Sequence, residues 1–113
     1  MRPGLTIAEL QRQVRHLKEA KGFDITLEQR LAYLTSEVGE VAREVLKLSR
    51  DGNEDVGEMD VTEIEAVTEN LAMEIYDVLW TLLDLADMAD VDLGAAFAKK
   101  AALNKDREWY RLK

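Results

Sequence analysis

The sequence predicts an all-α protein, a bundle of four amphipathic helices. One proline and six glycines are the only strong helix breakers in its 113 residues, while Leu, Ala, Glu and Lys are abundant. Apolar residues recur at steps of three and four, and no segment alternates as a strand would. The short connections between these segments favour antiparallel neighbours in a bundle. The length predicts a single domain over residues 1–113.

The first two helices are predicted to begin at capping boxes. Thr6 is followed by Glu9, and Thr26 by Gln29, at the spacing that lets each pair satisfy backbone N–H groups reciprocally. Gly22 is a predicted stop for the first helix. The apolar stripes are Ile7, Leu10, Val14 and Leu17 in the first helix, and Leu27, Leu31, Leu34, Val38, Val41, Val45 and Leu48 in the second.

An acidic, glycine-containing stretch separates the second helix from the third. Residues 51–61 are predicted to form this loop, with Gly52 just after the second helix. The third helix is predicted to run from about Thr62 to about Asp90. Its main apolar stripe comprises Ile64, Val67, Leu71, Ile75, Val78, Leu82 and Leu85.

The third helix is apolar on its other side as well. That side carries Met73, Tyr76, Trp80 and Leu83. A helix that is apolar nearly all round is buried on two sides, and an exposed apolar patch usually marks an interface. We therefore expect a homo-oligomer, a dimer or a tetramer, that completes the bundle. The alternative is that the first or the fourth helix covers the patch within one chain.

The fourth helix is predicted to be basic, whereas the middle of the chain is acidic. Asp92 is its predicted cap, and the helix begins near Leu93 and continues into residues 95–110. No Lys or Arg occurs in residues 51–98, but bases dominate from Lys99 onward. These two regions either neutralise each other within the fold or flank an anion that is held by a metal.

Two pairs of acids lie beside the apolar stripes of the second and third helices. With Leu34 at the centre of its stripe, Glu37 lies about 60° off centre and Glu40 about 120° off, on the same side. Relative to Leu71, Glu74 and Asp77 take matching positions. If the stripes face each other in an antiparallel pair, the acidic flanks meet along one edge. Glu44 falls between Glu37 and Glu40.

A partly buried cluster of four carboxylates requires protons or a cation. Oxygen ligands without Cys and without a nearby His suit Mg²⁺ or Mn²⁺. The alternative for each acidic pair is an ordinary solvated helix face. Glu74 and Asp77 favour the site, because they interrupt the most apolar segment of the chain.

The composition excludes several classes of function. A net charge of −8 argues against nucleic acid as the main partner. No apolar run approaches the roughly 18 residues that a membrane span needs, and the N-terminal residues lack the apolar core of a signal peptide. The absence of cysteine excludes disulfides and thiolate metal sites and fits a cytoplasmic protein.

The acidic pairs and the basic end resemble the MazG-like nucleoside triphosphate pyrophosphohydrolases, a superfamily of all-α enzymes. Its hallmark is Glu-x-x-Glu on one helix and Glu-x-x-Asp on the next, here in "LTSEVGEVAREV" and "EIYDVLWTLLDLADMADVDL". A further motif, Lys-x-x-x-Asn-x-x-Arg, matches "KAALNKDR". The similarity covers residues 26–110. The matching site residues are Glu37, Glu40, Glu74 and Asp77 in the acidic motifs, and Lys100, Asn104 and Arg107 in the basic motif.

The resemblance implies hydrolysis of (deoxy)nucleoside triphosphates to monophosphate and pyrophosphate, with clearing of unwanted nucleotides as its purpose. It implies that Mg²⁺, with Mn²⁺ as a substitute, is held by the four carboxylates, which act as the catalytic residues. It also implies that Lys100 and Arg107 contact phosphates and that Asn104 binds the nucleotide. Phe23 either stacks on the base or belongs to the core. Two rival functions are a non-catalytic helical interaction module and a nucleotide sensor without turnover.

Overall fold

The computed structural model describes residues 4–49 and 60–107, which form four α-helices. They are α1 (Ile7–Lys21), α2 (Leu27–Leu48), α3 (Val61–Met88) and α4 (Leu93–Lys105). No strand occurs in these two ranges. The predicted all-α, four-helix fold is therefore confirmed, whereas its completion by a second copy stays a prediction. Gly52, most of the predicted loop and residues 108–110 lie outside the described residues.

The predicted caps of the first two helices are confirmed. Thr6 and Glu9 form a complete capping box at α1, and Thr26 and Gln29 form another at α2. Gly22 follows α1 with φ of 68°, and its N–H donates to the Lys18 carbonyl. A left-handed conformation at this position favours glycine, because a side chain would be strained there.

Helices α3 and α4 differ from the predictions at their ends. Asp60 caps α3, so the helix begins at Val61, one residue before the predicted start. It ends at Met88 because Asp90 adopts φ of 57° and breaks the helical path. Asp92 caps α4 as predicted, but α4 ends at Lys105, well before residue 110.

Helix α2 runs antiparallel along α3, while α1 packs against both α3 and α4. The antiparallel direction follows from two contacts: Arg30 near the start of α2 meets Asp84, and Glu37 further on meets Thr81. The buried apolar side chains among the described residues are Val14, Leu83 and Ala86, and the buried polar ones are Gln11, Glu44, Thr81 and Asp84. The interior of one chain is therefore small and rich in polar groups.

The apolar stripe of α2 does not face the interior of the chain along its whole length. Leu31, Val38 and Val45, which belong to the predicted stripe, are 56%, 50% and 47% exposed. Leu34 is half-buried, and Glu44 is buried at 8% exposure. Helix α2 is thus rotated so that its acidic side, rather than the centre of its apolar stripe, lies against the rest of the chain. Part of the stripe is left on the surface.

The apolar back of α3 is only partly exposed. Leu83 is 4% exposed, so it belongs to the interior of this chain. Trp80 is half-buried and contacts Phe23 in an edge-to-face arrangement, with ring centroids 6.3 Å apart. Met73 and Tyr76 are 62% and 59% exposed. The predicted surface patch is therefore reduced to Met73 and Tyr76, because neighbouring elements of the chain cover the other two side chains.

A buried ion cluster joins three helices at one point. Asp84 of α3 is 0% exposed. Its two carboxylate oxygens face Lys18 Nζ of α1 at 2.5 Å and Arg30 Nε of α2 at 2.7 Å. The Arg30 guanidinium also lies 5.0 Å from the ring of Trp80. One turn further along α3, a hydrogen bond from Arg15 lowers the pKa of Asp87.

Polar contacts also fix the turn between α3 and α4. The buried amide of Gln11 in α1 donates from Nε2 to the Val91 carbonyl at 3.1 Å and accepts at Oε1 from the Leu93 N–H at 3.3 Å. No helix in the described part of the chain is both long and apolar enough to cross a membrane.

Candidate active site

The acids of α2 and α3 line the seam between these helices. Residues three or four apart on a helix share one face, so Glu37, Glu40 and Glu44 all project from the same side of α2. Glu74 and Asp77 do the same on α3. Because the helices are antiparallel, Glu40 comes opposite Glu74. The sequence-predicted acids therefore share one seam.

Glu40 and Glu74 are joined by a hydrogen bond between their carboxyl groups. This bond raises the pKa of Glu74, and burial raises it further. The negative charges of Glu40, Asp77 and Glu44 act in the same direction. A hydrogen bond between two carboxyl groups requires a proton on one of them, so this contact favours the protonated form of Glu74. The four groups named here are therefore close enough to influence one another's charge.

Two oxygens in the seam are buried without a hydrogen-bond partner, namely Glu44 Oε2 and Glu74 Oε2. A buried carboxylate oxygen without a donor is costly, so the arrangement is compatible with a bound cation. Nevertheless, within residues 4–49 and 60–107, no three acidic or histidine side chains are arranged closely enough to hold a metal ion as they stand. The seam thus contains suitable donors, although they do not form a closed cage.

Glu37 has a hydrogen-bond partner of its own on α3. Its Oε1 accepts a hydrogen bond of 2.5 Å from the hydroxyl of Thr81, which is 1% exposed. Thr81 lies one turn beyond Asp77 on α3. A bond that crosses from one helix to the other fixes the side-chain conformation of Glu37.

The three basic-motif residues lie at the end of the last helix. Lys100 and Asn104 are one turn apart on α4, and Arg107 follows the cap residue Asp106. The Arg107 N–H donates to the Asn104 carbonyl at 3.2 Å. Lys100 makes no ion pair or hydrogen bond with another described residue. The predicted role of these three residues in nucleotide binding stays a prediction.

Sequence reasoning missed several residues that shape this region. Thr81 and Asp84 stand in a nearly continuous apolar segment, and a polar residue there usually has a buried partner. Their partners could not be identified, because Glu37 and Lys18 are more than 40 residues away in the chain. Glu44 forms an ion pair with Lys47, with Nζ and Oε1 separated by 3.2 Å, yet Glu44 is buried, which its spacing in the sequence does not reveal.

Comparison with known proteins gives one family and one relative. The family described as "MazG nucleotide pyrophosphohydrolase domain" matches residues 25–108. A "dATP/dGTP diphosphohydrolase" of Salmonella phage PMBT28 is 38% identical over 53 residues, which are 47% of this chain and 18% of that protein. The matched segment thus spans less than a fifth of the relative.

The four helices and the clustered acids along the α2–α3 seam describe an all-α protein with carboxylates gathered between two antiparallel helices. The chain belongs to the MazG nucleotide pyrophosphohydrolase family, whose match includes both acidic motifs and the basic motif. Enzymes of this family are hydrolases and generally depend on a divalent metal.

Proposed function

We propose that this protein hydrolyses (deoxy)nucleoside triphosphates to the monophosphate and pyrophosphate with the help of Mg²⁺. The observation that carries the proposal is the carboxyl pair of Glu40 and Glu74 across the seam. Their hydrogen bond raises the pKa of Glu74, which also has a buried oxygen without a partner. Such a pair exchanges its shared proton for a cation when one binds.

Glu37, Glu40, Glu74 and Asp77 are the proposed ligands of the cation. Their oxygen donors fit Mg²⁺, and Mn²⁺ is an acceptable substitute. A divalent ion here would neutralise charge on the phosphate oxygens, which phosphoryl transfer requires. The chain's own contribution is to position the carboxylates: the α2–α3 packing sets Glu40 against Glu74, and Thr81 holds Glu37.

Lys100, Asn104 and Arg107 are the proposed nucleotide-binding residues. Lys and Arg side chains bind phosphate oxygens through charge-assisted hydrogen bonds, and an Asn amide can bind polar groups of the nucleotide. All three belong to the matched family region. Their separation from the acids along the sequence is compatible with a site that a second copy of the chain helps to build.

The protein is proposed to act as a homodimer or homotetramer, clearing unwanted nucleotides in the cytoplasm. The exposure of Leu31, Val38 and Val45 on α2 supports assembly. These residues are spaced by seven, so they form one apolar row on the helix surface. A row of this kind is characteristic of a helix that packs against another helix.

The activity is tested with a panel of dNTPs and NTPs in Mg²⁺, including dATP, dGTP and dUTP. Products are separated by ion-exchange chromatography. Monophosphate and pyrophosphate from at least one nucleotide would support the proposal. If no nucleotide were cleaved with either Mg²⁺ or Mn²⁺, binding measurements with the same panel would separate a nucleotide sensor from an interaction module.

Glu40→Gln provides the matching variant test. It removes one ligand charge with little change in shape, so we expect a loss of activity of at least about 100-fold with an unchanged fold. Glu65→Gln on the exposed surface of α3 is the control and should be fully active. Full turnover by Glu40→Gln would refute the assignment of the acidic seam as the active site.

A further inference from the structure

The last helix receives little support from the rest of its own chain. Its first turn is fixed, since the Leu93 N–H donates to Oε1 of the buried Gln11. Beyond Gly94, every residue of α4 except Asn104 is exposed, and Phe97 is 65% exposed. Helix α4 has 13 residues. Isolated helices of about this length are marginal in water, so a further packing partner is expected for α4.

One face of α4 is apolar at its beginning and basic at its end. Phe97, Ala101 and Lys105 follow one another at intervals of four residues, so they lie on the same face of the helix. All three are exposed. We call them the α4 row. It is about 12 Å long from Phe97 to Lys105.

The exposed back of α3 carries a complementary row. Met73 and Tyr76 form its apolar part, and Glu69 and Glu65 continue it toward the start of the helix at intervals of four residues. These four residues are the α3 row. Its two glutamates and Lys105 make no ion pair with another residue of the described ranges. From Met73 to Glu65 the distance along the helix is again about 12 Å.

The two rows cannot meet within one chain. Met73 lies about 22 Å before the end of α3 at Met88, whereas Phe97 lies only about 6 Å beyond the start of α4 at Leu93. An α4 that folded back along α3 would therefore leave about 16 Å between Phe97 and Met73. A second copy of the chain is free of this connection and can offer its α3 row in the matching register.

We propose that α4 of one copy packs antiparallel on the exposed back of α3 of a second copy. Phe97 then lies against Met73 and Tyr76, and Lys105 faces Glu65. Burial of the apolar side chains stabilises the contact. The ion pairs at its edge contribute little energy but fix the direction in which the helices pack, because the reversed direction would leave the charges unmatched.

This inference rests on the assembly of identical chains in the proposed function and adds a second contact to the apolar row of α2. Twofold symmetry would form the contact twice, because each copy provides one α4 and receives the other. One short helix from each copy is nevertheless a small contact, so the row on α2 is still needed to hold the chains together.

Disulfide cross-linking tests the register, because the chain contains no cysteine of its own. Glu69 and Ala101 face each other midway along the two rows. Glu69→Cys combined with Ala101→Cys should therefore give a covalent dimer on a non-reducing gel after mild oxidation. Glu69→Cys combined with Lys99→Cys is the matched control, because Lys99 is exposed on the opposite side of α4. Disulfides require Cα atoms within about 7 Å, so the control should give at least about fivefold less covalent dimer.

A third substitution tests the apolar part of the contact. Phe97→Lys, added to the Glu69→Cys and Ala101→Cys pair, places a charge against Met73. We expect at least about a tenfold lower yield of covalent dimer, because the ammonium group would lose water without gaining a partner. All the substituted positions are exposed, so the variants should keep the helical circular dichroism of the wild type. An unchanged yield would overturn the proposed packing.

The outcomes separate this contact from the assembly on which it rests. If the wild type is a monomer by light scattering and neither cysteine pair cross-links, the proposed assembly fails and this contact with it. If the wild type assembles but both cysteine pairs cross-link equally, only the contact between α3 and α4 fails. Neither measurement uses a nucleotide, so a negative hydrolysis assay would leave both results standing.

Discussion

Thr81 donates a hydrogen bond of 2.5 Å from its hydroxyl to Oε1 of Glu37, and this bond links α3 to α2. Thr81 is almost completely buried, so water does not compete for the carboxylate at this point. Oε2 of Glu37 makes no hydrogen bond to any residue within the described ranges. The hydroxyl therefore fixes one oxygen of a proposed metal ligand and leaves the other available to a cation.

Thr81→Val should weaken metal binding while the fold is kept. Valine has nearly the shape of threonine but cannot donate, and a hydrogen bond to a charged acceptor contributes about 1.5–3 kcal/mol. Part of this amount should appear as a roughly tenfold loss of Mn²⁺ affinity and of kcat. Thr81→Ser restores the donor and should recover most of both. Equal values for the Val and Ser variants would show that the hydroxyl does not position Glu37.

The helix starts were predictable because their signals are local. Thr6 with Glu9 and Thr26 with Gln29 form capping boxes through contacts only three residues apart. Gly22 likewise marks a left-handed residue at the end of α1. In each case the backbone groups that must be satisfied lie within the same short segment. No knowledge of the rest of the fold is needed.

The rotation of α2 was not predictable, because the helix carries more apolar residues than one neighbour can cover. The sequence places Leu34 near the centre of the stripe, and Leu31 and Val38 appear equally suitable for the interior. In the structure Leu34 is half-buried and the other two are exposed. Long-range contacts decide the rotation, and the bond between Glu37 and Thr81 is one of them.

The acids of the seam were identified by type and spacing, but their pairing was not. Glu37 and Glu40 share one motif, yet Glu37 contacts Thr81 whereas Glu40 contacts Glu74. The depth of each side chain depends on how α2 is rotated. For this reason the sequence could not show that Glu44 is the most buried acid of α2.

Asp84→Ala should destabilise the protein by about 2–4 kcal/mol. Removing one partner of a buried ion pair leaves the others without compensation, and here Lys18 and Arg30 both lose their partner. Partial exposure of Lys18 moderates the cost. Urea denaturation measures the free energy of unfolding. Asp24→Ala, at an exposed position between α1 and α2, is the control and should change it by less than about 0.5 kcal/mol.

A small effect of Asp84→Ala would contradict the view that this cluster holds three helices together. The same variant also tests whether the cluster is connected to the proposed active site. Asp84 does not contact the acids of the seam in the described structure. Mn²⁺ affinity of the folded variant should therefore stay within about threefold of the wild type, since residues without shared contact partners act nearly independently.

Glu74→Gln should raise the melting temperature of the metal-free protein at neutral pH. The pKa of Glu74 in the folded state is raised above its ordinary value of 4.5, chiefly by the hydrogen bond with Glu40. The folded state therefore binds this proton more tightly than the unfolded state does. Stability must then fall as the pH rises from about 4.5 through the raised pKa of Glu74. Glutamine removes the charge and can still donate to Glu40.

The difference between Glu74→Gln and the wild type should disappear below about pH 4, where the wild-type group is protonated in both states. Millimolar Mg²⁺ should reverse the order at neutral pH, because it stabilises only a protein that binds it. Thermal melts at pH 4 and pH 7, with and without Mg²⁺, provide the four values. A wild type that was more stable than Glu74→Gln at pH 7 without metal would contradict the unfavourable ionisation assigned to Glu74.

Leu31→Lys should break the proposed oligomer. Leu31 is 56% exposed and forms an apolar row with Val38 and Val45. A lysine in the middle of a helix interface must lose its water without gaining a partner, which costs several kcal/mol and shifts assembly to higher concentration by about 100-fold or more. Light scattering should show a larger particle for the wild type and a monomer for this variant at micromolar concentration.

Ser36→Lys on the same helix is the matched control for assembly, because it adds the same charge outside the apolar row and should leave the mass unchanged.

Trp80 is unsuitable for this test, since Phe23 and Arg30 of the same chain already contact its ring. A substitution there would measure the stability of one chain. If Leu31→Lys kept the wild-type mass while Tyr76→Lys lowered it, the interface would lie on the exposed back of α3 instead of on α2. If neither changed the mass, both exposed apolar surfaces would be excluded as the interface.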